Sequence, residues 1–295
     1  MHWELEDNVR AIRQAMRRAH AEGAVLCAFS ELALTGFHRR IVEWARPELV
    51  GPALAQVQAE AAALGLAVTL GAPTFGAGGE RFNSHLFVHG GGLDEGAGEG
   101  ADERAGERAG EAAGAGTLAG AVAKVGLTAP EATFFQPGAA RPRPVVRLAL
   151  GAGQGTLACS AVICREVEDY EAVVGALAGS GVKLILWPGQ MRPDPDKPPQ
   201  DPPAHVVQAQ ALARATAAWV VQTNWPNALN RPEESEHTGR SACIAPSGEL
   251  LFRLPVQGFG LGVFTLGERT FDWYPVALGA RDPAGSPSAR GAWTG

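Results

Sequence analysis

A chain of 295 residues, 46% of them apolar, can bury a sizeable core, either as one large domain or as two small ones. Its 25 basic and 31 acidic residues leave a net charge of −6, and no basic stripe is present to hold a phosphate backbone, so nucleic acid is not an expected partner. No apolar run approaches the ~18–20 residues of a membrane span, and Met1 to Asp7 lacks the apolar core of a signal peptide, which makes the cytoplasm the expected location.

From the start, Val9, Ile12, Met16 and Ala19 recur at spacings of three and four, which predicts an amphipathic helix over 7–21 with Asp7 as its cap. A short apolar strand, 24–29, ends at Ser30-Glu31. After Gly36 comes a second helix, opened by Pro52 and closed by Gly65. Strands follow at 66–71, 84–89 and 117–123. The same grammar returns with a strand at 156–163 ending at Cys164, a helix at 168–179, a strand at 182–187, a helix at 204–217 and a strand at 218–223. Short strands alternating with longer helices imply βαβ units around a largely buried sheet. Ser241–Ala245 and Glu249–Leu254 flank Pro246-Ser247-Gly248 as a hairpin, and Phe259–Leu266 adds a further strand.

Two segments stand outside this grammar. Residues 90–116 are Gly, Ala, Glu and Arg in near-repeats with little apolar surface to offset the entropy of ordering. They read as a mobile insertion within a single domain spanning 1–295, whose tail, 280–295, is also expected to be disordered. The Pro-rich stretch 188–203 follows a strand end and reads equally as a substrate-facing loop or a plain connector.

The four cysteines, Cys27, Cys159, Cys164 and Cys243, have no C-x-x-C spacing, so neither a zinc site nor a disulfide framework is indicated. Neither metal nor other cofactor is expected, although His85 and His89 stand at H-x-x-x-H spacing. Cys27, Cys159 and Cys243 read as small buried hydrophobes. Cys164 differs because, like Glu31, it terminates an apolar strand, and the carboxyl ends of strands are where open α/β folds do chemistry. Lys124 ends a third strand that holds no other charge. Taken singly, each of the three reads more readily as an ordinary strand-end residue.

Together, however, they stand in motifs that resemble those of the nitrilase, or carbon–nitrogen hydrolase, superfamily. The glutamate motif is Phe29-Ser30-Glu31-Leu32-Ala33-Leu34-Thr35-Gly36-Phe37. The lysine motif is Ala123-Lys124-Val125-Gly126-Leu127-Thr128, followed by Pro130-Glu131 and Phe134-Phe135-Gln136-Pro137-Gly138. The nucleophile motif is Ala161-Val162-Ile163-Cys164. The resemblance covers about 5–274 apart from the insertion. It implies a four-layer α-β-β-α sandwich, two mixed sheets with helices outside, assembled as a homodimer or larger homo-oligomer.

The resemblance also implies roles. Cys164 attacks the substrate carbon, Glu31 relays protons, Lys124 and the backbone N–H of Arg165 hold the oxyanion, and Glu131 orients the site. Lys124 beside the thiol is expected to favour the thiolate. Phe37, Trp187 and Trp225, each just past or at a strand end, read as pocket walls or as ordinary rim packing, and Glu166 as a side chain that alters substrate choice. The implied substrate is a small amide or carbamoyl amide cleaved through a thioester, with a nitrile as the alternative and a catalytically impaired scaffold as the reading of another class.

Three departures from the family pattern stand out. No strand precedes the first helix, Arg165-Glu166 follow the nucleophile where an aromatic or acidic residue is usual, and Gly126 replaces the customary histidine.

Overall fold

The computed structural model describes residues 2–90, 116–139, 142–151, 153–191, 201–255, 259–276 and 289–292. In chain order its elements are α1 (Leu5–Ala21), β1 (Leu26–Ala28), α2 (Ile41–Trp44), α3 (Pro47–Leu64), β2 (Ala67–Phe75), β3 (Arg81–Val88), β4 (Leu118–Ala123) and α4 (Ala129–Ala132). Then follow β5 (Val146–Ala149), β6 (Thr156–Ala161), α5 (Tyr170–Leu177), β7 (Leu184–Gly189), α6 (Ala204–Thr216), β8 (Trp219–Asn224), β9 (Ala242–Ile244), β10 (Leu250–Arg253), β11 (Phe259–Val263), β12 (Thr270–Val276) and β13 (Ala289–Ala292).

One sheet has the order β1-β2-β3-β4 and the other β10-β9-β8-β7-β6-β5. Both are mixed: β1 lies parallel to β2, and β6, β7 and β8 are mutually parallel, while the remaining pairs are antiparallel. Period-two alternation sorts the strand residues into layers. Val68, Leu70, Leu86 and Val88 face outward onto α1 and α3, where they meet Val9, Ile12, Met16, Val57 and Ala61. Their neighbours Ala67 and Phe87 face inward and meet Leu148, Ile163, Leu184 and Leu186 of the second sheet. On the far side Ile185, Trp187 and Val220 pack under α6 residues Val206, Ala209, Leu212 and Ala213 and under Val173 and Leu177 of α5. The result is the expected α-β-β-α sandwich.

Several boundaries differ from the sequence expectation. The first helix starts at Leu5 with Glu4 before it, and Asp7 lies inside the first turn, paired with Arg10 at 2.7 Å, so Asp7 is not the cap. The third helix opens at Pro47, and Pro52 sits within it. The one bond Pro52 forfeits is tolerated because Val50, Ala53, Val57 and Ala61 are buried along the same face. Gly65 closes the helix as expected, at φ 61°. The predicted 168–179 helix is a 3-10 turn over Cys164–Asp169 followed by the shorter α5. The sequence reading missed β5, β12 and β13.

Most of the proposed 90–116 insertion and residues 192–200 of the Pro-rich stretch lie outside the described residues. So does most of 280–295, although Ala289–Ala292 within that tail form β13, antiparallel to β12. Among the described residues no helix is long and apolar enough to cross a membrane.

The small sheet β11-β12-β13 docks against α1, with Tyr274 donating to Glu22 at 2.6 Å and the Arg18 guanidinium stacked over the Tyr274 ring. Phe252, Phe264 and Phe271 join it to the second sheet. Both β1 and β11 are edge strands among the described residues. Between them lies a cavity of about 2070 Å³, lined by residues that include Ile12, Leu26, Ala28, Leu186, Phe259 and Leu261. His2–Glu4 lead directly into α1. Glu31, Lys124 and Cys164 do not line this cavity.

Apolar side chains such as Leu26, Leu186 and Leu261 that face this space forfeit dispersion contacts there, although Arg17, Glu22 and Gln222 also line it. Anilinonaphthalene sulfonate is therefore expected to fluoresce with the folded protein, below the onset of unfolding. No emission until the unfolding transition would mean that the space is closed to ligands.

Candidate active site

Glu31, Lys124 and Cys164, which are 93 and 40 residues apart along the chain, converge at neighbouring strand ends. Glu31 leaves β1 on a turn that lies directly against β2. A Cβ on Gly71 would come within 2.0 Å of the Leu32 nitrogen, so only glycine at 71 admits the turn. Backbone bonds secure it: the Gly71 N–H donates to Ser30 at 3.2 Å and the Leu34 N–H to Gly71 at 3.0 Å.

The Lys124 ammonium is fully buried and sits between two carboxylates. It lies 2.7 Å from Glu31 Oε1, 2.7 Å from Glu131 Oε1 and 3.0 Å from Glu131 Oε2. Glu131 is held by a capping box at the start of α4, where its carboxylate accepts from the Thr128 N–H at 2.9 Å and its own N–H donates to Thr128 Oγ1. Asn83 Nδ2 on β3 donates to both carboxylates, at 2.8 Å to Glu31 and 3.0 Å to Glu131. Glu31 Oε2 is buried without a hydrogen-bond partner.

Cys164 opens the 3-10 turn at the end of β6 with φ 52°, in the left-handed region that a non-glycine residue occupies only when its surroundings impose it. The imposing contacts are specific. The Trp187 indole donates to the Cys164 carbonyl at 2.9 Å, and the Gln190 backbone N–H donates to the sulfur. A Cβ on Gly189 would stand 3.2 Å from Cys164 Cα, so the absence of a side chain there lets β7 approach the nucleophile.

The electrostatics follow from burial and from this cluster. Burial raises the Glu31 pKa, and the nearby Glu131 charge adds to it, while Lys124 and the Asn83 bond only partly offset the rise. Burial would by itself lower Lys124, but Glu31, Cys164 and Glu131 outweigh it and keep the ammonium charged. Burial would raise Glu131, yet the Lys124 charge and the bonds from Lys124 and Thr128 hold it below 4.5. The Cys164 thiol is pushed up to about 12 by burial and then by Glu31, against the pull of Lys124. Lys124 thus favours the thiolate, as expected, but burial and Glu31 outweigh it and favour the thiol at rest. Ionising it requires a base in contact, and Glu31, with one oxygen free, is equipped for that transfer.

The remaining sequence candidates are placed as follows. Arg165 directly follows Cys164 in the turn, and its amide makes no hydrogen bond with the described residues, so it is free to donate to an incoming oxygen. Its side chain reaches back to the Leu127 carbonyl at 3.2 Å. Phe37 is half-buried and packs against the first core. Trp225 is buried and donates its indole N–H to the Glu31 carbonyl at 2.8 Å, as Trp187 does for Cys164. Both tryptophans thereby brace the backbone of a site residue instead of presenting a polar edge to a ligand. Glu166, expected to face substrate, is buried with both carboxylate oxygens occupied by protein donors. Asn83, Gly71, Gly189 and Gln190 were not singled out in the sequence. None carries a local motif, and each acts through contacts between strands distant in the chain.

The sequence profile of the carbon–nitrogen hydrolase family matches residues 1–266. The chain belongs to this family. It is therefore an enzyme of the carbon–nitrogen hydrolase class. Its fold is also that of solved amidases from Nesterenkonia sp. AN1. A cysteine-to-alanine mutant of that amidase, described as of the nitrilase superfamily, is 24% identical with a TM-score of 0.61, covering 86% of this chain and 82% of the other. A second form, showing Michael addition of acrylamide at the active-site cysteine, is 23% identical with a TM-score of 0.62 over 86% and 85%. A third, carrying the acetamide moiety of fluoroacetamide at that cysteine, is 23% identical with a TM-score of 0.62 over 86% and 82%. No curated protein matches the chain.

Two outcomes follow for this family member. Iodoacetamide is expected to modify Cys164 before Cys27, Cys159 and Cys243, because Cys164 is partly exposed and has Glu31 and Lys124 beside it, whereas the other three are buried with burial as the one influence on their thiols. Peptide mapping after brief labelling checks this, and equal slow labelling of all four would contradict it. The second concerns acid stability. Because the folded pKa of Glu131 is depressed, its stabilising contribution is complete above the unfolded value near 4.5 and is lost as pH falls through the folded one. Glu31 has the opposite sign, its raised pKa making its ionisation cost stability as pH rises through the folded value. In Glu131→Gln, thermal unfolding midpoints between pH 3 and 7 should accordingly vary less on the acid side than in the wild type.

Proposed function

We propose that this carbon–nitrogen hydrolase cleaves a small amide or carbamoyl amide through a thioester on Cys164. The observation that supports this most is the buried Lys124 ammonium clasped by Glu31 and Glu131, beside a strand-end thiol and a carboxylate with one oxygen unengaged. In this reading Cys164 Sγ attacks the carbonyl carbon while Glu31 takes the thiol proton. The negative charge then moves from the carboxylate onto the sulfur and on to the carbonyl oxygen. Lys124 Nζ and the Arg165 N–H stabilise that oxyanion.

Collapse of the tetrahedral adduct breaks the carbon–nitrogen bond, and Glu31 returns its proton to the departing nitrogen, releasing ammonia or an amine. Glu31 next deprotonates a water, whose hydroxide attacks the thioester. The carboxylic acid leaves and the thiol is restored. Amide and water are consumed, and acid and amine are formed. Glu131 keeps Lys124 aligned throughout. A nitrile would first add the thiol to form a thioimidate, which enters the same thioester after adding one water and losing ammonia. The homodimer or larger assembly implied by the family resemblance belongs to this reading too, and sedimentation of the purified protein tests it.

Intact-mass spectrometry with a panel of short amides, carbamoyl amines and nitriles is expected to reveal an acyl adduct on Cys164, with ammonia or amine release, and no adduct in Cys164→Ala. Release from nitriles alone would favour the nitrilase reading. A folded wild type with neither adduct nor release across the panel would favour a scaffold. With a turned-over substrate, kcat/KM should fall on the acid side at a pH above 4.5, since protonated Glu31 cannot accept the thiol proton. Glu31→Gln should lower kcat by about 100-fold or more.

A further inference from the structure

Glu166 lies two residues beyond the nucleophile, is 2% exposed and spends its carboxylate wholly on protein donors. Oε1 accepts from the Val125 N–H at 2.6 Å, and Oε2 accepts from the Ile163 N–H at 2.6 Å. Val125 adjoins Lys124 and Ile163 adjoins Cys164, so one carboxylate bridges the backbones next to two site residues that are 40 apart in the chain. Arg143 completes the arrangement. Its Nη2 and Nη1 donate to Glu166 at 2.5 and 3.3 Å, and its Nε donates to the Ala161 carbonyl at 2.6 Å. The guanidinium is itself 4% exposed, so the pair is a buried, forked ion pair whose remaining bonds all go to the ends of β4 and β6.

Gly126 fits the same design. A Cβ there would already touch Glu166 Cα and Cγ at 3.4 and 3.5 Å, so the lysine segment and the nucleophile turn meet face to face, with no side chain from 126 between them. Arg165 adds a second tie through its bond to Leu127.

We propose that Glu166 and Arg143 are positioning residues that set the spacing of Lys124 and Cys164. This rests on the reading of Glu31, Lys124 and Cys164 as the reacting set. The bridge also contributes to the left-handed Cys164, since Glu166 draws the Ile163 N–H across the turn and confines Cys164 and Arg165 between them. The lysine segment has no side chain at 126 to brace it, so the brace comes from the nucleophile turn. A bridge of this kind acts on geometry at the reacting atoms, where a displacement of about 1 Å can cost roughly 100-fold in rate.

The test compares Glu166→Gln and Arg143→Lys with Met16→Ala, a fully buried core truncation on α1 that destabilises the fold without touching the bridge. Each is read by the rate of Cys164 alkylation with iodoacetamide across pH, and by kcat and KM on an amide that the wild type turns over. Both bridge variants are expected to slow Cys164 alkylation by about tenfold or more and to lower kcat by a similar factor with little change in KM, while Met16→Ala retains wild-type rates below its unfolding midpoint. Wild-type alkylation in Glu166→Gln, or equal slowing in Met16→Ala, would overturn the proposal. Should Glu166→Gln not fold, Arg143→Lys decides alone, because it keeps the buried positive charge and loses only the fork. A wild type that turns over no amide would fail the functional reading, yet the alkylation comparison would still decide the bridge.

Discussion

A single ammonium buried between two carboxylates is the constraint to which the rest of the site answers. Lys124 cannot be withdrawn from water unless both Glu31 and Glu131 are held against it, and neither carboxylate is tolerable there without the lysine. Three charges in a dry interior leave one negative charge in excess. The raised pKa of Glu31 expresses that excess. In the proposed mechanism, accepting the proton of Cys164 lets the carboxylate shed its charge onto a sulfur and then an oxygen close to the ammonium. The site is thereby arranged for a charge to move through it, not for one to rest there.

Holding such a cluster requires backbone to be brought unusually close to backbone. Gly71 admits the Glu31 turn and Gly189 admits the Cys164 turn. On each of these turns a tryptophan from the second sheet caps a carbonyl, Trp225 over Glu31 and Trp187 over Cys164. The two sheets thus reach the site with matching devices, and the Glu166–Arg143 bridge joins them. The strain stored at Cys164, with φ 52°, is sustained by this network. The large cavity between β1 and β11 adjoins the Glu31 turn through Ser30, Ala33 and Trp225, yet none of Glu31, Lys124 and Cys164 lines it.

Much of the fold was legible because alternating strands and amphipathic helices leave a periodic trace. Val9, Ile12 and Met16 announced α1, and the strands ending at Glu31, Lys124 and Cys164 were found within a few residues. What escaped was short or dependent on partners. Four-residue β5 and β13 have too few positions for a period to emerge, and each exists because a neighbouring strand pairs with it. Pro52 misled because a proline inside a helix can be outweighed by the apolar face that helix buries.

The linear sequence determined the family, the order of the three motifs and the candidate reacting groups, since these depend on residue types and local spacing. Only the tertiary structure decided their electrical state and their supports. Whether Cys164 rests as thiol or thiolate depends on burial and on Glu31 lying nearer than bulk water, and no local pattern carries that. That Trp187, Trp225 and Glu166 hold backbone is likewise a matter of which distant carbonyl or amide lies within about 3 Å of them. Long-range proximity sets both, and a chain read in one dimension does not contain it.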